Sequence, residues 1–376
     1  MNLILHVAFV HDALPPYRRQ LFDLIAGRHR ITFFFTNVRD RALADRSVSV
    51  RGYRVPEMSD YVIAPSLLRE LRESHRRDPF DAVVLPDLGN FSCQMGYLFS
   101  RSNKLPYVLW TGEWCAVRHP RRWVMRPLEK AIARDAAACL AYGSRAVERL
   151  KQLGASVEQI RITGNSSDYH FSAPRGEELD RIRKDWAIGD RPVILYLGRL
   201  LKFKGPDVLV EAFAEIAQSG KAYLVVAGEG PLLPALQEQV RRKKLAHVHF
   251  TGRTVEGSNE KDLLYALASV FVLPSRRWRT AEPWGLVLNE AASAALPIVT
   301  THWAGAVGDL IRDGETGFVI PAEDPRSLCA VILEILEQPL RAKERGLRAR
   351  EAATRFTIDR MADALDWGIR TAAARR

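Results

Sequence analysis

Two consecutive α/β domains, each a doubly wound parallel sheet flanked by helices, are predicted by three observations. Short apolar runs alternate with amphipathic stretches of helical period along most of the chain. This alternation runs through once, breaks at a turn-rich stretch and begins again near residue 190. The 376 residues, 47% hydrophobic and 26% charged, suffice for two globular cores of ordinary size.

The first series reads as strands over Ile4 to Val10, Ile31 to Phe35, Ala82 to Leu85, Tyr107 to Trp110 and Ala138 to Tyr142. Each is a short aliphatic or aromatic run, as a strand buried on both faces requires. Helical stretches separate most of them, for example Tyr17 to Ala26 and Ser66 to Ser74. Gly164-Asn165-Ser166-Ser167-Asp168, with Pro174 and Gly176 close behind, suits a linker. A second series follows over Val193 to Leu197, Ala222 to Ala227, Val248 to Thr251, Val270 to Leu273 and Pro297 to Thr300, with helices from Pro206, Pro231 and Asn259. The last helix, about Ile358 to Ala374, carries Met361, Leu365, Trp367 and Ile369 after the second sheet is complete. It needs an apolar surface elsewhere, and the first domain is the expected one. The organisation is therefore 1–165 for the first domain, 166–190 for the linker, 191–355 for the second domain and 356–376 for the returning helix. Ligands bind at the carboxyl ends of strands in such sheets, so a cleft shared by two domains is the expected site.

No apolar run approaches the ~20 residues of a membrane helix. Met1 to Val10 is broken by His6 and reads as a first strand rather than a signal peptide. Cys93, Cys115, Cys139 and Cys329 form no metal-binding pair and no disulfide framework, which fits a reduced, cytoplasmic setting. The net charge of +11 gathers in the first half, with 25 Lys and Arg against 17 Asp and Glu in residues 1–170. Its densest part is Arg118, Arg121, Arg122, Arg126, Lys130 and Arg134, interleaved with Trp114 and Trp123. Such a segment can rest on an anionic membrane surface or form a solvated helix face. No nucleic-acid-binding motif accompanies it, so nucleic acid is not an expected partner.

The segment Glu282-Pro283-Trp284-Gly285-Leu286-Val287-Leu288-Asn289-Glu290 is a loop-to-helix junction. Its Pro, its Gly and the apolar run behind them predict a helix whose unpaired amides attract an anion, phosphate being the commonest. The two carboxylates cannot hold phosphate, so they are expected to accept hydrogen bonds from hydroxyls beside it. Phosphate flanked by polyols describes a nucleotide sugar. Strand Val193 to Leu197 ends in Gly198-Arg199-Leu200-Leu201-Lys202-Phe203-Lys204-Gly205-Pro206, where Arg199 and Lys204 suit a diphosphate that gains charge as its bond to sugar breaks. Strand Ala222 to Ala227 ends in Gly228-Glu229-Gly230-Pro231, whose glycines permit close backbone approach. Phe250-Thr251-Gly252-Arg253, Asp262 to Ala268, Val272-Leu273-Pro274-Ser275 and Gly314-Glu315-Thr316-Gly317 complete the series.

In this order the motifs resemble glycosyltransferase family 4, retaining nucleotide-sugar-dependent enzymes of the GT-B fold, with their G-R-x4-K-G, G-x-G-P, f-x-G, P-S, E-x7-E and d-G-x-x-G pattern. The resemblance spans about residues 160–330, and Asn165 to Asp168 with Phe171 resembles the family's interdomain N-x-x-D-x-x-F stretch. It implies that Arg199 and Lys204 bind the donor diphosphate, Glu290 the ribose hydroxyls and Glu282 the sugar hydroxyls. The amides of Trp284, Gly285 and Leu286 would complete the donor site, with Gly198, Gly228, Gly230 and Arg253 at the neighbouring strand ends. It also implies transfer with retention and no dedicated protein nucleophile. No Asp-x-Asp occurs in the chain, so no metal and no other cofactor is expected.

Some positions depart from the family pattern. After the first strand, where many members have Gly-Gly, stands His11-Asp12-Ala13-Leu14-Pro15-Pro16-Tyr17-Arg18. No counterpart of the family's first-domain histidine follows Trp110, leaving His11, Glu113 and His119 as candidates. Ala304-Gly305 and Asp309 stand for a usual Gly-Gly and acidic residue, and Arg276, Arg277, Trp278 and Arg279 form an insertion that reaches phosphate or acceptor, or is a solvated loop. The expected function is sugar transfer from a nucleoside diphosphate sugar to a saccharide or lipid-linked acceptor in cell-envelope polysaccharide or glycolipid synthesis. A nucleotide-sugar 2-epimerase of the same architecture and a non-catalytic carbohydrate- or nucleic-acid-binding protein are the alternatives.

Overall fold

The computed structural model describes residues 3–36, 47–55, 58–117, 119–254 and 258–376, and Arg118 of the predicted basic segment lies outside them. The chain divides into two compact units, Met1–Asp168 with Thr357–Arg376, and Tyr169–Phe356.

The strands of the first unit are β1 (His6–His11), β2 (Arg30–Phe35), β3 (Ser47–Ser49), β4 (Tyr53–Val55), β5 (Met58–Ile63), β6 (Ala82–Leu85), β7 (Tyr107–Thr111), β8 (Ala138–Ala141) and β9 (Ile160–Ile162). Seven pair in the order β3-β2-β1-β6-β7-β8-β9, all parallel, while β4 and β5 form an antiparallel hairpin. The sequence reading lacks β3, β9 and the hairpin; β3, β4 and β9 are three-residue strands, too short to show a period. The helices are α1 (Arg19–Arg28), α2 (Leu67–Arg77), α3 (Phe91–Ser102), α4 (Pro120–Asp135) and α5 (Ser144–Gln152). Alternation along β1 sends Val7 and Phe9 into the core with Leu21, Phe22 and Ile25 of α1. Ala8 and Val10 enter the opposite core with Leu67, Leu71 and Phe99.

In the second unit β10 (Val193–Leu197), β11 (Tyr223–Ala227), β12 (Val248–Gly252), β13 (Ala268–Leu273), β14 (Ile298–Thr301) and β15 (Phe318–Ile320) pair in parallel as β12-β11-β10-β13-β14-β15. Its helices are α6 (Gly176–Asp185), α7 (Pro206–Ile216), α8 (Leu233–Arg242), α9 (Glu260–Leu267), α10 (Leu286–Ser293), α11 (Pro325–Glu337) and α12 (Pro339–Ala353). Helix α8 starts at Leu233, not at the predicted Pro231.

The final helix, α13 (Ile358–Ala373), returns to the first unit, where it packs on α1, β6, β7 and β8. It buries Met361, Leu365, Ile369 and Ala372 in the α1 face of the core. At Gly368 a Cβ would stand 3.1 Å from Val108 and 3.3 Å from Leu140, so a small residue sets the closeness of helix to sheet.

Strand order reverses between β1 and β6 in one sheet and between β10 and β13 in the other. The loops leaving such neighbours diverge and open a crevice.

Candidate active site

At the reversal in the second unit, the loop after β10 supplies Lys204 and the loop after β13 supplies Glu282. Lys204 closes a 3-10 turn over Lys202–Lys204, and Gly205 follows with φ 69°. A Cβ on Gly205 would collide with the carbonyl of Pro274, so glycine there lets the two loops touch. The Lys204 stem passes Gly198, and its Nζ donates to Oε2 of Glu282 at 2.5 Å. Both side chains are largely removed from water, at 13% and 8% exposure, which strengthens the pair relative to a surface one. The Glu282 backbone is fixed by the segment predicted to replace Gly-Gly. Its N–H donates to the Trp303 carbonyl at 3.2 Å, and its carbonyl accepts from Gly305 N–H at 3.0 Å.

Helix α10 starts after Gly285, whose φ is 94°. The Leu288 amide donates to the Gly285 carbonyl at 2.8 Å, while the amides of Leu286 and Val287 have no acceptor within the helix, as at any helix start. Trp284 is fully buried, its indole N–H donating to Asn289 at 2.8 Å and its ring 5.1 Å from Phe356. Its side chain therefore anchors the helix start from the core, while Leu286 is half-buried. Glu290 is buried one turn into the helix, where Lys261 Nζ donates to Oε1 at 3.0 Å and the Tyr265 hydroxyl to Oε2 at 2.9 Å. Burial, followed by the charge of Glu290, pushes the Tyr265 hydroxyl well above its ordinary pKa. The Lys261 ammonium lies 5.4 Å over the Tyr169 ring, and the Tyr169 hydroxyl donates to Asp262 at 2.6 Å. Lys261 and Tyr265 were missed in the sequence. Their four-residue spacing places both on one face of α9, which was the available signal.

Other predicted residues have different surroundings. A Cβ at Gly228 would strike the Gly198 carbonyl, and one at Gly230 would stand 2.5 Å from the Leu200 carbonyl. The close approach these glycines permit is thus to the neighbouring loop, which they press into place. Arg199 is exposed, and its carbonyl accepts from the Tyr196 hydroxyl at 3.0 Å. Arg253 is exposed directly after β12. Arg276 is neither a solvated cation nor a free one for phosphate. It is buried, holds Asp207 through Nη2 at 2.5 and 2.7 Å, and donates through Nε to the Lys202 carbonyl at 2.7 Å.

In the first unit the candidates are tied to their own surroundings. His11 is half-buried, with Nδ1 2.7 Å from the Ala13 carbonyl; burial first and Arg18 second lower its pKa to about 4. Beside it Asp12 accepts from Ser92 at 2.5 Å and from Asn90, bridging the loops at the β1/β6 reversal. Its carboxyl is pushed up by burial against these hydrogen bonds. Glu113 binds Arg122 at 2.7 and 2.5 Å, and burial holds its carboxyl above the usual range. His119 caps α4, Nδ1 accepting from the Arg121 N–H at 3.2 Å. The reading also missed Arg18, buried with Nη2 2.5 Å from Asn165 and its guanidinium 4.9 Å over Trp110.

Two family models match the chain, "Glycosyl transferase 4-like domain" over residues 14–166 and "Glycosyl transferases group 1" over residues 179–355. The GDP-mannose-dependent alpha-(1-6)-phosphatidylinositol monomannoside mannosyltransferase of Mycolicibacterium smegmatis is 32% identical over 186 residues, 48% of each chain. The alpha-D-kanosaminyltransferase of Streptomyces kanamyceticus is 28% identical over 244 residues, 63% of this chain and 61% of that one. The chain spans about half the length of the curated relatives it matches. Among solved structures, sucrose-phosphate synthase of Thermosynechococcus elongatus superposes with a TM-score of 0.80 at 19% identity, covering 99% of this chain and 100% of that one. HepE of Anabaena, in complex with UDP and glucose, does so with 0.76 at 17% identity, covering 96% and 98%. With a family model matched in each unit and the motif order of the second, this chain belongs to the group 1 glycosyltransferases of the GT-B fold.

Proposed function

We propose that this protein is a retaining glycosyltransferase that moves a sugar from a nucleoside diphosphate sugar to a saccharide or lipid-linked acceptor in cell-envelope polysaccharide or glycolipid synthesis. The observation that carries the reading is the meeting of Lys204 and Glu282 across the second sheet's strand-order reversal, next to the start of α10. HepE, whose fold this chain shares, was solved with UDP and glucose, which supports a donor of this class.

In this reading Glu282 accepts hydrogen bonds from the sugar hydroxyls. Glu290 accepts them from the ribose, since each carboxylate oxygen keeps lone-pair capacity beyond its bond to Lys261 or Tyr265. The anomeric carbon–oxygen bond breaks with its electron pair going to the diphosphate. The acceptor oxygen bonds to that carbon on the same face, and its proton passes to the departing diphosphate. Arg199 and Lys204 stabilise the charge that builds on the leaving group, and this is the main electrostatic task of the site. The reaction is read as metal-independent, and full activity in excess chelator is the expected result; its abolition contradicts that part.

The setting is read as cytoplasmic, with the first unit resting on an anionic membrane through Trp123, Val124, Arg126, Lys130 and Arg134, all exposed on α4. No helix among the described residues is long and apolar enough to cross a membrane. Vesicle sedimentation at low and high salt tests the association. A thermal-shift screen across UDP-, GDP-, ADP- and dTDP-sugars, followed by a transfer assay, tests the function itself. Stabilisation by one donor and transfer to an acceptor are expected, whereas interconversion of labelled donor without acceptor would indicate an epimerase.

A further inference from the structure

Helix α4 reverses the usual distribution of residues. Arg122 and Glu129 face the interior at 8% and 2% exposure, while Trp123 is 77% and Val124 67% exposed. Beneath this helix, between its first turns and Arg149 of α5, lies a cavity of about 330 Å³. Its lining mixes Val117, Pro120 and Trp123 with Arg122, Arg126, Arg149 and the carboxylate of Glu129.

The charges around the cavity are unequally satisfied. Arg122 takes the close contacts, Nη2 to Glu113 at 2.5 Å and Nε to Glu129 at 2.6 Å. Arg149 reaches the same two carboxylates only at 3.8 and 3.9 Å. Among the described residues its Nε makes no hydrogen bond, although the side chain is 4% exposed. A buried guanidinium with unfilled donors is costly, and an anion in the adjoining cavity would supply the missing acceptors. Glu113 and Glu129 already offset Arg122 and Arg149, so Arg126, exposed at the rim, leaves the cavity net positive. The exposed Trp123, with Val117 and Pro120 of the lining, supplies an apolar surface beside it, one that a bare inorganic anion would leave uncovered.

We propose that this cavity is a site for a phosphate-headed lipid, the phosphate lodging against Arg126 and Arg149 and the apolar chain running along Val117, Pro120 and Trp123. Its role, holding the phosphate end of a lipid-linked acceptor, rests on the reading of function above; its binding does not.

The test is isothermal titration, without any sugar nucleotide, of short-chain phosphatidic acid below its micelle concentration, of inorganic phosphate and of short-chain phosphatidylcholine. Saturable binding of phosphatidic acid is expected, with inorganic phosphate roughly tenfold weaker for want of the apolar contact and phosphatidylcholine weaker still. Arg126→Gln and Arg149→Gln should each weaken phosphatidic acid binding by roughly tenfold. Trp123→Ser should weaken the lipid and leave inorganic phosphate unchanged. Arg126 and Trp123 are exposed, so their variants carry the test should Arg149→Gln lose its cooperative melting transition. Absence of saturable phosphatidic acid binding by the wild type, or unchanged binding by the Arg126 and Trp123 variants, overturns the site. Equal affinity for inorganic phosphate or phosphatidylcholine overturns the phosphate-headed lipid as its occupant. Donor-induced thermal shift, measured separately, reports on the glycosyltransferase reading alone.

Discussion

The ammonium of Lys204 and the carboxylate of Glu282, 78 residues apart in the chain, lie 2.5 Å from one another at the strand-order reversal of the second sheet. Each keeps the other's charge compensated in a largely dry setting. In the proposed reaction a diphosphate arriving there would meet a lysine already oriented by that carboxylate.

Lys204→Ala is expected to lower turnover by about two orders of magnitude or more, the loss of one preorganised cation at a leaving group. Steady-state kinetics with saturating donor measure it, and turnover near the wild-type value removes the proposed role. Because the pair acts as a unit, Lys204→Ala combined with Glu282→Gln should cost less than the sum of the single losses.

Glu290→Gln should weaken binding of the nucleoside diphosphate product by about tenfold, through the exchange of a charged acceptor for a neutral one. Tyr265→Phe should weaken it less, since it removes a group that orients Glu290 and not an expected ligand contact. Calorimetric titration ranks the two, and the reverse order would move the ribose contact from Glu290 to the tyrosine.

Arg276→Met should destabilise the second unit by about 3 kcal/mol, at the low end of the range for breaking a buried pair, because Asp207 keeps Lys202 at 3.0 Å. Denaturant titration followed by a probe in that unit gives the value. A change within about 0.5 kcal/mol, typical of surface substitutions, would return Arg276 to the class of solvated loop cations.

His11 stays neutral in the fold down to about 4, below its ordinary 6.5, so the unfolded chain takes up its proton first. Its contribution to stability is therefore complete above pH 6.5 and declines as the pH falls toward 4, by roughly 2 kcal/mol once its partial exposure is discounted. His6, His29 and His75 are also lowered by burial and give a background slope of the same sign. Comparing His11→Gln with wild type across that window isolates the residue: the variant should show the shallower loss, and parallel curves would discard the assignment.

The sheets were legible because each main strand is a compact apolar run, and the Glu282 to Glu290 spacing was legible because one helix start contains both ends of it. Lys261 and Tyr265 were not, since the register of α9 against α10 is a tertiary fact that neither helix encodes alone. Arg276 misled for a related reason: three arginines around a tryptophan look like a solvated loop, and the Asp207 that internalises one of them lies in a distant helix. In the first unit, polar residues at strand ends resemble ligand contacts in sequence. The structure instead joins Asp12 to Asn90 and Ser92, and Glu113 to Arg122. A chain alone does not reveal which polar groups satisfy one another.

The return of α13 also imposes an order on biogenesis. The second unit is encoded without interruption from Tyr169 to Phe356, so everything it needs has been synthesised before the last helix is made. The first unit, although translated earlier, must wait with part of one sheet face, beside α1, uncovered until Met361, Leu365 and Ile369 emerge. A chain truncated before Thr357 would thus carry every residue of the second unit attached to a first unit lacking the cover of Met361, Leu365 and Ile369.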